Sequence, residues 1–427
     1  MSGVPGPLAE HLFRREAGRM VSALVRLLGP RHLALAEDAV QDALVRALEA
    51  WSFGGAPRNP GAWLMRSARN RAIDLLRWQG RRVRLAPELE RALLEAEAGA
   101  AVADAEPAAG GDGHAIADDE LRLMFSCCDP LLPSAAQVTV ILKYLCGFSV
   151  REIAQGSLTS EGAVEKQLFR ARRALEAQER LFEVRDAAQV RARLPAVRSA
   201  VYLLFSEGYH GAHPRLAVRE DLCHEALRLA VLLTRLPAAD GPETRALVAL
   251  FCFLAARLPA RQDDDGQLLL LAEQDRGRWD RALVAEGLRW LDRSAEGEAL
   301  TAWHLEAAIA AGHATAPTFE ATDWGAIRRL YDVLWRLDPS PVVALNRAIA
   351  VGMAEGAEAG LGALAALDGA GRERLAASPF LPAAVAEFER RAGRPERAVA
   401  HREAALRLAR NPAEAAVLAR KLAACRG

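Results

Sequence analysis

The sequence predicts an all-α protein assembled from several helical units, and three observations carry that expectation. The apolar share, 51% of 427 residues, is supplied mainly by Ala, Leu and Val, and Ala and Leu are among the best helix formers. Aromatic residues make up only 6%, and β-branched runs are scarce, which leaves little from which to build strands. Apolar residues recur at three- and four-residue spacing in segment after segment, the period of one helix face. A chain of this length exceeds one ordinary core, so two or three domains are expected.

The formal net charge is +0, from 55 basic and 55 acidic residues, but this balance averages over local runs of opposite sign. Lys143, Lys166 and Lys421 are the only lysines, a bias expected of a GC-rich genome. No apolar run reaches the roughly 18 residues of a membrane span, and Met1 to Pro7 lacks the basic and apolar regions of a secretory signal. The cysteines at 127, 128, 146, 223, 252 and 425 form no CxxC pair. They are expected to be small buried hydrophobes in a reducing cytoplasm.

Residues 1–94 form the first expected unit. In Ala36–Leu48 the residues Ala36, Val40, Leu44 and Leu48 read as a buried stripe, and Glu37, Asp38, Gln41 and Asp42 as a separate acidic face. Asn59-Pro60 opens the next helix, with proline near the start, where a missing N–H costs least. Leu64, Ala68, Ala72 and Leu75 read as its buried stripe, with Arg66, Asn70 and Arg77 on another face. Arg58 to Arg84 holds eight arginines against the single acid Asp74, a density suited to phosphate neutralisation. Trp63 is expected in the core.

Residues 95–120 carry eight acidic residues and no Lys or Arg, with a Gly-rich stretch from Pro107 to Gly113, and read as a linker. Residues 121–183 form the second unit. Leu132-Pro133-Ser134 opens a helix that Gly147 ends, and Ser149–Glu152 is a capping box for a short helix. After a turn at Gly156 to Thr159, Ser160 caps a longer basic helix. Short helix, tight turn and basic helix make a helix-turn-helix pattern. Val164, Leu168, Ala171 and Leu175 face inward, which leaves Glu161, Glu165, Lys166, Phe169, Arg170 and Arg173 for a major groove or phosphates.

Residues 184–427 read as amphipathic helices broken by Pro and Gly. Trp324 to Met353 is a helix, a proline turn and a second helix, and Glu387 to Ala424 repeats that plan, with Gly393-Arg394-Pro395 and Asn411-Pro412 as turns. Pro339 and Pro412 stand 73 residues apart, near two repeats of about 34 residues once an insertion is allowed. Leu181, Phe182, Val184 and Val190 read as a packed junction running on from the basic helix. Glu207, His210, His213 and His224 lack a recognised ligand pattern, so no metal is expected. Without a phosphate loop or nucleophile elbow, the expectation is no catalytic residue, no cofactor and no enzyme. Asp263 to Asp265 reads as a solvated turn.

At this point a family resemblance becomes visible. AEDAVQDALVRALEAW, from Ala36, resembles region 2.2 of extracytoplasmic-function sigma factors. NPGAWLMRSARNRAIDLLR, from Asn59, resembles regions 2.3 and 2.4, and GFSVREIAQGSLTSEGAVEKQLFRARRAL, from Gly147, resembles region 4.2. The resemblance implies that Asp38, Gln41 and Asp42 contact the β′ clamp helices of core RNA polymerase, with the β subunit as a further partner. It implies that Arg66, Arg69, Asn70 and Arg77 melt and read the −10 promoter element. Glu161, Glu165, Lys166, Arg170 and Arg173 would serve −35 DNA. The family usually has Gly near the position of Leu158, where this chain instead has Gly156, which implies a reshaped turn. Val201–Tyr209, Asp221–Ala230, Asp275–Asp280, Asp323-Trp324, Leu337–Ala348 and the Cys127-Cys128 pair resemble a subfamily with a C-terminal tetratricopeptide-like extension. Such an extension implies contact with a protein regulator. A helix-turn-helix regulator with a helical-repeat sensor, or a repeat scaffold alone, are the other readings of the same residues.

Overall fold

The computed structural model describes residues 6–80, 119–129, 132–156, 159–177, 187–210 and 218–426. Among them are nineteen α-helices, four short 3-10 turns and one isolated antiparallel bridge between Gln262 and Leu268. The chain is all-α, as its composition predicts. It divides into two compact units, residues 1–204 with 235–239, and residues 205–234 with 240–427.

The first unit begins with α1 (Gly6–Leu28), a 3-10 turn (Pro30–His32), α2 (Leu33–Gly54) and α3 (Pro60–Gly80). Met20, Leu24 and Val25 of α1 meet Ala36, Ala39, Val40, Ala43 and Ala47 of α2, and Leu64, Ala68, Ala72 and Leu76 of α3. The small alanines let the helix axes come close. Two expectations are corrected here. Leu44 is half-buried and Leu48 is 51% exposed, because a strict four-residue repeat drifts about 40° per step around a helix of 3.6 residues per turn. Ala43 and Ala47 hold the core face instead. On α3, Leu76 rather than Leu75 continues the buried row. Asn59 caps α3, its Oδ1 accepting from the Ala62 N–H at 3.1 Å, and Trp63 lies half-buried, tilted against Trp51 at 5.5 Å.

Next come α4 (Asp119–Cys127), α5 (Ser134–Tyr144), α6 (Val150–Gly156) and α7 (Glu161–Glu176). The expected linker overruns α4 by two residues, since Asp119 and Glu120 form its first turn, where carboxylates oppose the helix dipole favourably. Glu95 to Asp118 lie outside the described residues. Gly147 takes φ 65° after α5. The capping box forms as read, Ser149 N–H to Glu152 at 2.8 Å and Glu152 N–H to Ser149 Oγ at 3.2 Å. Ser160 Oγ accepts from the Ala163 N–H at 3.3 Å. Leu158 lies outside the described residues, as do Arg180, Leu181, Phe182 and Val184. The basic helix ends at Glu176.

Helix α8 (Ala187–His210) follows. Its first part buries Val190, Leu194, Val197 and Val201. Arg193 Nη1 donates to the Phe125 carbonyl at 2.8 Å, and Nη2 lies 3.9 Å from Asp129. That clamps α8 to the turn after Cys127-Cys128. Burial pushes the Cys128 thiol up to about 12 and Cys127 well above its usual value, so both stay protonated and unreactive.

The second unit is centred on α10 (Pro242–Ala255), flanked by α9 (Glu220–Leu233), α11 (Arg281–Ser294) and α12 (Ala302–Thr315). Residues Ala246 to Phe253 of α10 are all buried, the pattern of a helix enclosed on every side. Phe205 stacks on Phe251 at 4.3 Å. Helices α13 (Trp324–Leu337) and α14 (Pro341–Glu355) form the expected hairpin, pinned by Arg347 to Asp332 at 2.6 Å. Then come α15 (Ala357–Ala365), α16 (Gly369–Leu375), α17 (Phe380–Arg391), α18 (Pro395–Arg407) and α19 (Pro412–Arg426). The expected turns fall at Gly393 (φ 74°) and Asn411-Pro412, which separate α17, α18 and α19. One core joins Leu305, Ile327, Leu334 and Val343, and the next joins Leu345, Leu364, Leu375 and Phe388. Successive hairpins therefore share a running seam. Asp263 makes the expected turn, its Oδ1 accepting from the Asp265 and Gln267 N–H groups.

Candidate nucleic-acid interface

Helix α2 presents Asp38 and Gln41 to solvent, with Val45 (54% exposed) and Leu48 (51%) continuing the same face. The carboxylates beside them are engaged. Glu37 lies 3.2 Å from Lys143 Nζ and accepts from Gln41 Nε2 at 3.2 Å. Asp42 is paired with Arg71 of α3. The structure thus keeps Asp38 and Gln41 together on the open surface and turns Asp42 toward a neighbouring helix. Val45 and Leu48 are the missed members. Hydrophobicity and spacing put Leu48 in the buried stripe, and they do not single out Val45, one turn past Gln41 on the charged face.

On α3, Arg66, Asn70 and Arg77 are all exposed. Steps of four and seven residues bring them within about 40° of one another around the helix. Arg69, one step round, is half-buried. Asp74 lies beside the row, and Trp78 next to Arg77 is 69% exposed. A planar aromatic beside cations is the pairing that holds unstacked bases and their phosphates, and Trp78 was missed from sequence. Asn offers the donor and acceptor needed for base edges.

On α7, Glu161, Glu165, Lys166, Phe169, Arg170 and Arg173 are exposed, while Val164, Ala171 and Leu175 are buried and Leu168 is half-buried. Arg173 lies over the Phe169 ring at 5.8 Å, so the aromatic steadies the cation. The opposite side of α7 is fixed to α5, where Thr139 donates to Gln167 at 2.7 Å.

Both helical pieces belong to one compact unit, and they touch. Besides Lys143–Glu37, Arg26 of α1 lies 3.2 Å from Asp119 of α4. Gly18 of α1 packs under the Leu145 carbonyl so tightly that a Cβ there would collide with the oxygen. The Tyr144 hydroxyl at this seam is pushed up to about 12 by burial and the nearby Glu37 charge. Elsewhere, His224 is exposed and His210 sits edge-on to Tyr209. His213 lies outside the described residues.

A three-helix piece with an arginine-studded helix, followed by a capped helix-turn-helix, defines a DNA-binding transcription initiation factor. Sigma-70 region 2 matches residues 12–82, Sigma-70 region 4 matches residues 126–175, and a family of unknown function, DUF6596, matches residues 193–295. The chain belongs to the extracytoplasmic-function sigma factors that carry a C-terminal helical extension. An uncharacterised protein of Rhizobium meliloti (strain 1021) is 40% identical over 402 residues, covering 94% of this chain and 92% of that one. No solved structure matches the chain. No helix among the described residues is long and apolar enough to cross a membrane.

Proposed function

We propose that the protein binds core RNA polymerase in the cytoplasm and directs it to a promoter, which it opens. The observation that supports this best is the convergence of Arg66, Asn70 and Arg77 on one exposed face of α3, in a chain that also displays Lys166, Arg170 and Arg173 on α7. Duplex phosphates are neutralised by the arginines. Asn70, with the exposed Trp78 further along α3, captures bases once they leave the stack. The α2 face of Asp38, Gln41, Val45 and Leu48 meets the β′ clamp helices, its acid group facing basic polymerase side chains and its apolar pair filling the contact.

In this reading the working domains are residues 1–94 for polymerase and −10 DNA, 95–120 as linker, 121–183 for −35 DNA, and 184–427 as a modulating extension that receives a protein regulator. The Arg193 clamp on Phe125 and Asp129 supports bracing of the −35 unit by the segment that leads into the extension. Run-off transcription with core polymerase tests the whole reading. Promoter-specific transcripts are expected only when the protein is added. Tight duplex binding with no transcript would make it a polymerase-independent regulator instead.

A further inference from the structure

The second unit contains a ladder of alternating guanidinium and aromatic planes that the transcriptional reading does not use. The Arg261 guanidinium lies 4.2 Å from the Tyr209 ring centre. Arg257 lies 6.0 Å from Tyr209 and 5.6 Å from Trp279, and Arg276 lies 4.5 Å from Trp279. Its members come from the end of α8, the end of α10 and the segment after it, and the 3-10 turn before α11. The Asp275–Asp280 string is what aims them. Asp275 accepts from the Gly277 N–H at 2.7 Å, and Asp280 caps α11, which fixes Arg276 and Trp279 between the two turns. Tyr209 and Trp279 are 2% exposed and Arg276 is 8% exposed.

Stacking over aromatic faces stabilises a guanidinium but leaves its in-plane N–H edges to find acceptors. Among the described residues those acceptors are neutral. Arg257 donates to Gln274 at 3.3 Å, Arg261 to the Tyr209 carbonyl at 2.8 Å, and Arg276 to the His313 and Ala316 carbonyls at 2.6 and 2.7 Å. Among the described residues, no carboxylate lies within ion-pairing distance of the three. Among the described residues, five buried polar atoms of the cluster also have no hydrogen-bond partner: Arg261 Nε, Arg276 Nη2, Tyr209 Oη, Trp279 Nε1 and His313 Nδ1. Burial, with neighbouring arginine charge, holds Arg257 and Arg276 below the usual guanidinium range. Glu320 offsets part of the Arg276 charge, while buried Arg257 and the orphaned donors around Tyr209 call for an anion.

We propose that the Tyr209 end of this ladder binds a phosphate-bearing small molecule, whose oxygens accept from the free Nε edge of Arg261 and balance the charge of Arg257. A phosphate dianion supplies two charges and several acceptors to the Arg257–Arg261 pair, where a carboxylate supplies one charge and two oxygens. Both rings are already stacked by guanidinium groups, so recognition falls on the phosphate itself, free or as a simple ester. Occupancy would tighten the second unit and make it a chemical input, separate from either DNA face.

The test uses the full chain at constant ionic strength, with inorganic phosphate, glycerol phosphate and acetate as probes. Phosphorus NMR line width on the wild-type protein should show saturable binding of inorganic phosphate or its ester at a single site. Arg257→Gln and Arg261→Gln should each weaken it at least tenfold, with Arg261→Lys intermediate and the surface variant Arg289→Gln unchanged. Circular dichroism confirms that the variants are folded. The wild-type measurement decides the matter by itself should a variant fail to fold. Absence of saturable binding, equal affinity in folded ladder variants, or acetate binding as tightly as phosphate would each overturn the proposal. Because binding is read without transcription, loss of promoter activity and loss of this site are distinguishable.

Discussion

Asp38 and Asp42 stand one helical turn apart on α2, yet their surroundings give them different roles. Asp38 faces solvent, whereas Asp42 holds Arg71 across the α2–α3 contact. Asp38→Arg should therefore cut affinity for core polymerase at least tenfold while the melting temperature stays put. Asp42→Arg sets like charges against each other and should cost about 1 kcal/mol of stability, so its loss of polymerase binding would come with a lower melting temperature. Parallel thermal denaturation and core-binding titrations read both; equal stability for the two variants would contradict the Asp42–Arg71 assignment. Asn70→Ala should leave closed-complex binding near normal and depress promoter melting, seen as weaker permanganate reactivity at −10 thymines. The Arg66, Asn70 and Arg77 face was legible in sequence because spacing alone fixes which residues share one side of a helix. The Asp42 pairing was not, because its partner lies 29 residues away and only packing brings α3 alongside.

Elements with strong local signals came through the sequence best. Ser149, Glu152 and Ser160 announce their caps because each motif closes within four residues, and the helix-turn-helix follows from them. Ser160→Ala should cost about 1 kcal/mol and lower affinity for −35 duplex without changing its base preference. Replacing Arg170 and Arg173 together by Ala should reduce the salt dependence of duplex binding by about two phosphate contacts; an unchanged slope in a filter-binding or fluorescence titration would remove α7 from the DNA face. The ladder in the second unit could not be read ahead, since Tyr209, Arg257 and Trp279 are neighbours only in three dimensions. Beside it, burial and then the Arg257 and Arg276 charges push the α12 residue His313 down to about 4. Its folded value lies below the unfolded 6.5, so the neutral ring contributes stability above that pH. That contribution is lost progressively as pH falls from about 6.5 toward 4. Thermal denaturation of the wild type should thus weaken through this window, and His313→Gln should flatten the dependence.

For the whole molecule, the extension is built as successive cores rather than one. Cutting at Gly369 would strip Leu375, Ala384 and Phe388 from the last hydrophobic cluster and leave Leu345 and Leu364 uncovered, so that truncation should melt lower and aggregate. Cutting at Arg185 removes α8 and its Arg193 clamp on the −35 unit, and run-off transcription should fall even though both DNA-reading helices remain. Full activity from the Arg185 truncation would reject bracing. Sequence composition revealed that the C-terminal half is helical and hairpin-rich. It also marked the turns at Gly393 and Asn411-Pro412, but not how the last three helices are tied, which rests on Arg402 joining Glu387 at 3.2 Å and reaching the Lys421 carbonyl.

The glycine at position 18 has a consequence for how the protein finds a promoter. The −10 and −35 elements lie roughly 25 base pairs apart, about 85 Å of duplex at 34–36 Å per turn. A compact unit of about 200 residues has a radius of gyration near 16 Å, too small to span that distance. On the promoter reading proposed above, the contact of Gly18 beneath Leu145, with the Lys143–Glu37 and Arg26–Asp119 pairs, would act as a latch to be released before both elements are read at once. Gly18→Ala would force the latch apart without touching a DNA-facing side chain. Small-angle scattering should show a larger free protein, and promoter binding should rise rather than fall, a gain of activity purchased by loss of stability. An unchanged scattering profile in the folded variant would mean that the two pieces part by some other route.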